Sequence, residues 1–236
     1  IIATRLGLTG IPNEAEDVMI ARDLMLAELT GGRLHVQHVS TRRGVQLIRE
    51  AKQRGVRVTA EATPHHFTLT DAAVEAYRTD AKMNPPLRSE ADRQAVREGV
   101  RDGTLDVIAT DHAPHHYDEK EQAFEDAPNG IVGLETSLGL SYTELVGTGM
   151  LDLAGLIDRM SCAPARAMSF DTRTKLGSLA PGFQADVTLI DPRIEWTVDR
   201  MAFLSMSRNT PFHDRALRCR AVRTIVAGRT VWQIQG

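Results

Sequence analysis

The stretch LDVIATDHAPHHYDEK, residues 105–120, decides how this chain is read. Its apolar run Val107-Ile108-Ala109 stops abruptly at Thr110-Asp111-His112-Ala113-Pro114-His115-His116. Residues 106–110 read as a buried strand, and the next residue is a carboxylate followed by imidazoles. A carboxylate taken out of water is costly unless it is paired or bound to a metal. The competing reading of Asp111 is a helix N-cap. Pro114, the histidines and the lack of a helical pattern over 116–128 weigh against it. Asp111 therefore points to metal binding or acid–base chemistry.

Outward from this stretch, strand and helix patterns alternate. Residues 13–29 place Ala15, Val18, Ala21, Met25 and Leu29 at steps of three or four, with acids in the first turn and Gly31-Gly32 at the end, and predict a capped amphipathic helix. A strand is expected at 33–40, a helix at 44–55 and a β-branched strand at 56–62 that runs into Thr63-Pro64-His65-His66. A helix opened by Ser89 spans 89–103, and another is expected at 133–149. Apolar strands alternating with helices argue for parallel β structure with helical crossovers. The expected fold class is α/β, a TIM-like (β/α) barrel, with an open doubly wound sheet as the competing arrangement. After about residue 172 the pattern changes to short alternating strands broken by Gly and Pro, as in GSLAPGFQADVTLIDP and AVRTIVAGRTVWQ. Residues 1–172 are thus assigned to the barrel and 173–236 to a small β-rich domain packed on it.

Composition excludes several classes. The chain has 236 residues, 42% of them hydrophobic, enough for a sizeable core. A net charge of -3 gives no electrostatic case for nucleic acid or an anionic membrane. No apolar run approaches the roughly 20 residues of a membrane span, and the opening IIATRLGLTG has no basic start like that of a signal peptide. Cys162 and Cys219 lie far apart without a C-x-x-C pair, so a reducing, cytoplasmic setting is expected. The arginines between Arg208 and Arg229 read as a solvated face.

The polar residues fall where a barrel gathers its chemistry. His38, His65, His66, Asn84, Asp111 and His115 all lie near the C-terminal ends of expected strands. Imidazole nitrogen and carboxylate oxygen are ligands that suit zinc.

In order and spacing, HVST, VTAEATPHH, KMNPPLR, ATDHAPH followed by EK, and APNGIVGLET resemble the class I dihydroorotases of the amidohydrolase superfamily. SCAPAR, GSLAPGFQADVTLID and SRNTPF extend the resemblance to nearly the whole chain. DHAPH alone would be shared with hydantoinases and allantoinases, whereas MNPPLR tilts the choice. The resemblance implies a metal-dependent hydrolase barrel, of which the chain would supply the second half. It implies one or two zinc ions, with His38 and Asp111 as metal ligands and Asp111 also moving the proton. It implies substrate binding by Asn84 and His115 and by the backbone of Asn129 and Gly130. An aromatic residue is more usual before that glycine, so Asn129 departs from the pattern. Cys219 stands where a small residue is usual and is not read as catalytic. His65 and His66 are expected to be structural, and Glu61 is a minor candidate near the metal.

The implied reaction is the reversible closure of N-carbamoyl-L-aspartate to L-dihydroorotate in pyrimidine biosynthesis. The implied partners are this small-molecule substrate, a second copy in a homodimer, aspartate transcarbamoylase, and an N-terminal segment of the same protein. That segment is expected because the family's His-x-His motif, its following arginine, a bridging carboxylate or modified lysine and one more histidine have no counterpart in these residues. Residues 1–236 alone are expected to hydrolyse no dihydroorotate, since part of a barrel leaves open strand edges. Two other readings compete: a hydantoinase- or allantoinase-type cyclic amidohydrolase, and a non-catalytic scaffold for aspartate transcarbamoylase.

Overall fold

The computed structural model describes residues 2–234. These divide into two compact units, one running through Glu135 and including Asp199–His213, the other comprising Thr136–Val198 and the residues from Asp214 onward.

The first unit contains α1 (Ile2–Leu6), α2 (Asn13–Thr30), β1 (Leu34–Val36), α3 (Arg42–Gln53), β2 (Val58–Ala62), α4 (Pro64–Thr68), α5 (Glu90–Asp102), β3 (Val107–Ile108) and α6 (Tyr117–Lys120). Its three strands form one parallel sheet in the order β1-β2-β3. Parallel neighbours need long crossovers, which α3 and the α4–α5 region provide. Local chemistry sets the helix ends. The Thr41 hydroxyl accepts from Gly44 N at 2.9 Å to start α3, and Ser89 accepts from Asp92 N at 3.3 Å to start α5. Gly31 and Gly103 close α2 and α5 in the left-handed conformation, with φ of 67° and 83°.

The core of this unit lies where α3 and α5 meet β2. Val45, Ile48 and Ala51, Val96 and Val100, and Ala60 and Ala62 are all buried. Full burial of a side chain such as Ile48 is worth about 1.5–3 kcal/mol. Gly44 lets α2 approach α3 closely, since a Cβ there would lie 2.8 Å from Ile20 Cδ1.

Several expectations change in detail. The apolar stripe of α2 that reaches the core is Ile20, Leu24 and Ala27, whereas Val18, Met25 and Leu29 are exposed. The helix carries two apolar stripes, and α3 covers only one. The strands are shorter than expected because His38 and Asp111 take left-handed φ of 34° and 47°. The parallel bonding nonetheless runs past the strand ends, with Val39 N donating to Glu61 O at 2.9 Å and Ala109 N to Ala62 O at 3.0 Å. Residues 116–128 hold the single turn α6, capped by His116.

In the second unit, α7 (Ser137–Ser141) runs into π-helical Tyr142–Val146, and short helices α8 (Leu153–Ile157), α9 (Ala163–Ala167) and α10 (Phe170–Arg173) follow. The helix expected from residue 133 thus starts four residues late. In the first unit the N–H groups of Gly133 and Leu134 are instead taken by His112 Nδ1, at 3.1 and 3.5 Å. β4 (Val187–Thr197), β5 (Ala216–Val226) and β6 (Arg229–Gln233) form an antiparallel sheet in that order. Ala227 and Gly228, with φ of 48° and 77°, make the tight β5–β6 turn. Cys219 is fully buried, and burial pushes its thiol up to about 11, which fits an inert side chain. Among the described residues no helix is long and apolar enough to cross a membrane.

Candidate active site

His38 and Asp111 leave the same end of the parallel sheet, just beyond β1 and β3, with β2 between them. Neighbouring-strand spacing sets their backbones roughly 10 Å apart. Both are half-buried, and both hold a positive φ, which costs a non-glycine residue on the order of 1–3 kcal/mol and is found where a side chain is turned to a task. Neither side chain makes a hydrogen bond or ion pair among the described residues. Glu61, on the strand between them, is committed elsewhere. One carboxylate oxygen meets His35 Nε2 at 3.0 Å and the other accepts from His38 N at 3.4 Å.

His65 and His66 follow β2 and are buried. His66 Nε2 donates to Pro85 O at 2.9 Å, so its Nδ1 accepts from the Thr63 hydroxyl at 2.7 Å. This fixes one neutral tautomer and ties the end of β2 to the loop that carries Asn84. Burial drives the His66 pKa down to about 4, with the Pro85 carbonyl opposing and the charges of His38 and Arg88 adding to the fall. His65 is also pushed well below the ordinary histidine value, by burial first and then by His66 and His38. Its Nε2 has no partner among the described residues. Asn84 itself is exposed, and its amide is unpartnered among the described residues.

The remaining predicted residues lie together. His115 Nε2 donates to Asn129 O at 2.8 Å. Gly130 has φ of 122°, and a Cβ there would sit 2.5 Å from Ala113 Cβ, so only glycine fits. Gly130 N donates to Lys82 O at 3.0 Å, and Gly130 O accepts from Lys120 Nζ and Asn209 Nδ2, each at 3.1 Å. A ligand contact at Gly130 would therefore share or displace one of these bonds. Lys120, buried and also bonded to Pro128 O at 2.9 Å, has its pKa lowered to about 8 by burial.

Three supporting residues were not singled out from sequence. Arg88 of KMNPPLR is buried and donates to Ser40 Oγ, Ile11 O and Glu16 Oε2. Lys120 and Asn209 lie inside motifs that were legible, but their partners are set by chain reversals that no local pattern encodes.

Among the described residues no three His, Cys, Asp or Glu side chains are grouped so as to hold a metal ion. His38 and Asp111 fit a metal in donor type and in lacking other partners. Two donors fall short of the three protein ligands usual at a catalytic zinc.

A parallel α/β sheet with unpartnered imidazole and carboxylate groups beyond its strand ends has the layout of enzymes that build their sites at strand C-termini. The Amidohydrolase family pattern matches residues 22–231, and the chain belongs to that family. It is 55% identical over 232 residues to a dihydroorotase of Pelotomaculum thermopropionicum, covering 98% of this chain and 53% of that relative. It is 56% identical over 233 residues to a dihydroorotase of Syntrophotalea carbinolica, covering 99% and 54%. The chain thus spans about half the length of the curated relatives it matches. Among solved structures it resembles the L-hydantoinase (dihydropyrimidinase) of Arthrobacter aurescens, with a TM-score of 0.88 and 33% identity over 94% of this chain and 49% of that one. A D-hydantoinase of Thermus sp. gives a TM-score of 0.86 at 27% identity, over 94% and 49%.

Proposed function

We propose that this chain forms the second half of the catalytic barrel of a dihydroorotase, a cytoplasmic enzyme that reversibly closes N-carbamoyl-L-aspartate to L-dihydroorotate. The observation that carries this reading is identity of 52–56% over nearly the whole chain to curated proteins named dihydroorotase. The placement of unpartnered His38 and Asp111 beyond one end of the sheet supports it. The three parallel strands belong, in this reading, to a closed (β/α) barrel with the antiparallel sheet as an appended domain. The small molecule is the primary partner, and a second copy and aspartate transcarbamoylase are the proposed protein partners.

His38 and Asp111 would hold zinc together with at least one further donor. When bound, zinc supplies Lewis acidity at the ring carbonyl and makes water acidic near neutral pH. In the opening direction a C–O bond forms at that carbonyl and the ring C–N bond breaks. Asp111 takes the proton of the attacking water and returns it to the departing nitrogen. In the closing direction the ureido nitrogen forms the C–N bond at the β-carboxylate carbon, and Asp111 takes its proton and passes it to the departing oxygen as the C–O bond breaks and water leaves. Such proton transfer is typically worth about 10²–10⁴-fold. Asn84 offers an uncommitted amide, and His115 an imidazole held against Asn129, to align the substrate.

A hydantoinase-type activity is the second reading, favoured by the 0.88 TM-score to an L-hydantoinase. The test is turnover by the intact protein on L-dihydroorotate, hydantoin and allantoin. The proposed function expects clear preference for the carboxylated ring. Preference for a ring without a carboxylate would replace it with the second reading.

A further inference from the structure

Asn209 sits 94 residues after His115 in sequence and only 5% exposed, yet its side chain reaches both segments that carry proposed substrate-binding groups. Its Oδ1 accepts from His115 N at 3.3 Å. Its Nδ2 donates to Ala113 O at 2.9 Å and to Gly130 O at 3.1 Å. Its own carbonyl accepts from Val132 N at 3.0 Å. The carboxamide thus uses one acceptor and two donors at once, on two separate segments, one of them just beyond β3. A carboxylate of the same shape could keep the first bond but would set a negative oxygen against two carbonyl oxygens.

We propose that Asn209 is a positioning residue that locks segments 113–115 and 129–132 in one register, so that His115 and the Asn129–Gly130 backbone meet a ligand as a single preformed surface. This rests on the cyclic-amide reading above. Two further features agree with it. The bond from His115 Nε2 to Asn129 O spans the same two segments, and Gly130 approaches Ala113 so closely that a Cβ there would lie 2.5 Å from Ala113 Cβ. Lys120 also holds Gly130 O, but its bonds do not reach residues 113–115. The backbone bond from Ala113 N to Ile131 O at 2.9 Å links the same segments from within, and Asn209 adds three side-chain bonds to them from a distant part of the sequence.

The test compares the intact protein with its Asn209→Asp and Asn209→Ala variants, by steady-state kinetics on L-dihydroorotate and by amide hydrogen exchange. Loss of alignment is expected to raise KM by about tenfold while kcat changes less than about threefold. Asn209→Asp, almost identical in shape, is expected to be at least as impaired as Asn209→Ala. A space-filling role would instead leave Asn209→Asp close to the parent. Exchange is expected to accelerate in residues 112–116 and 129–132 and not elsewhere. A KM within about twofold of the parent in Asn209→Asp, or unaccelerated exchange in those segments, overturns the proposal. If the parent opens no cyclic amide, the functional reading fails, and the exchange comparison alone decides the role of Asn209. Should neither variant fold, an unprotected His115 amide in the parent overturns it.

Discussion

The Arg88 guanidinium meets the Glu16 carboxylate at 3.3 Å, with the two side chains only 6% and 13% exposed. Glu16 also accepts from Ser40 N at 2.8 Å, and Arg88 from its side donates to Ser40 Oγ and Ile11 O. One buried pair therefore fastens the start of α2 to the loops that carry His38 and Asn84. Removing one partner of such a pair strands the other charge. Arg88→Met is expected to destabilise the intact protein by about 3–5 kcal/mol, read as a fall in denaturant midpoint. The double variant Arg88→Met, Glu16→Leu is expected to recover much of the loss, because no buried charge is then left alone. Equal loss in single and double variants would contradict this.

The buried histidines predict acid lability with a defined window. The folded pKa of His66 is about 4 against an ordinary 6.5, and His65 is shifted the same way. Between these values the unfolded chain binds more protons than the folded one, so stability rises with pH there. The contribution is present in full above about 6.5 and is lost as pH falls towards 4. If the whole His66 shift is expressed, it amounts to about 3 kcal/mol. Urea unfolding at a series of pH values checks this, and His66→Gln is expected to flatten the curve between pH 4 and 6.5.

Gly130→Ala is expected to harm ligand binding as well as stability. The new methyl would lie 2.5 Å from Ala113 Cβ and 3.3 Å from His115 Nε2, on a backbone with φ of 122°. Overpacking of this kind typically costs about 1–3 kcal/mol. Calorimetric melting and KM for the cyclic substrate should both move. An unchanged KM in the folded variant would detach Gly130 from the site.

Much of the framework was legible because its signals are local. Ser89, Gly31 and Gly103 act within one turn of the helices they cap, and the alternation of Val58, Ala60 and Ala62, opened by β-branched Val58-Thr59, needs no distant information to read as a strand. The buried face of α2 was not legible, because two apolar stripes share that helix and only the packing of α3 selects Ile20, Leu24 and Ala27. Strand ends were overrun because residue type does not announce the left-handed turns at His38 and Asp111. Lys120 and Asn209 escaped notice for a related reason. Their importance lies in backbone carbonyls that the fold brings to them, and a lysine beside acids or an asparagine in a loop looks like any surface residue.

Asp111 carries a proposed proton-transfer role that the proposed metal ligand His38 does not share. Asp111→Asn keeps the shape and removes the base, so kcat is expected to fall by at least about 10²-fold. Steady-state turnover in both directions checks this, and a fall confined to one direction would contradict a single residue moving the proton both ways.

The most direct test is the location of zinc in crystals of the intact protein, by anomalous scattering at the zinc edge. The expected result is an ion within about 2.0–2.2 Å of a His38 ring nitrogen and of an Asp111 carboxylate oxygen. An ion held without either residue, or the two side chains found in unconnected regions, would contradict the assignment.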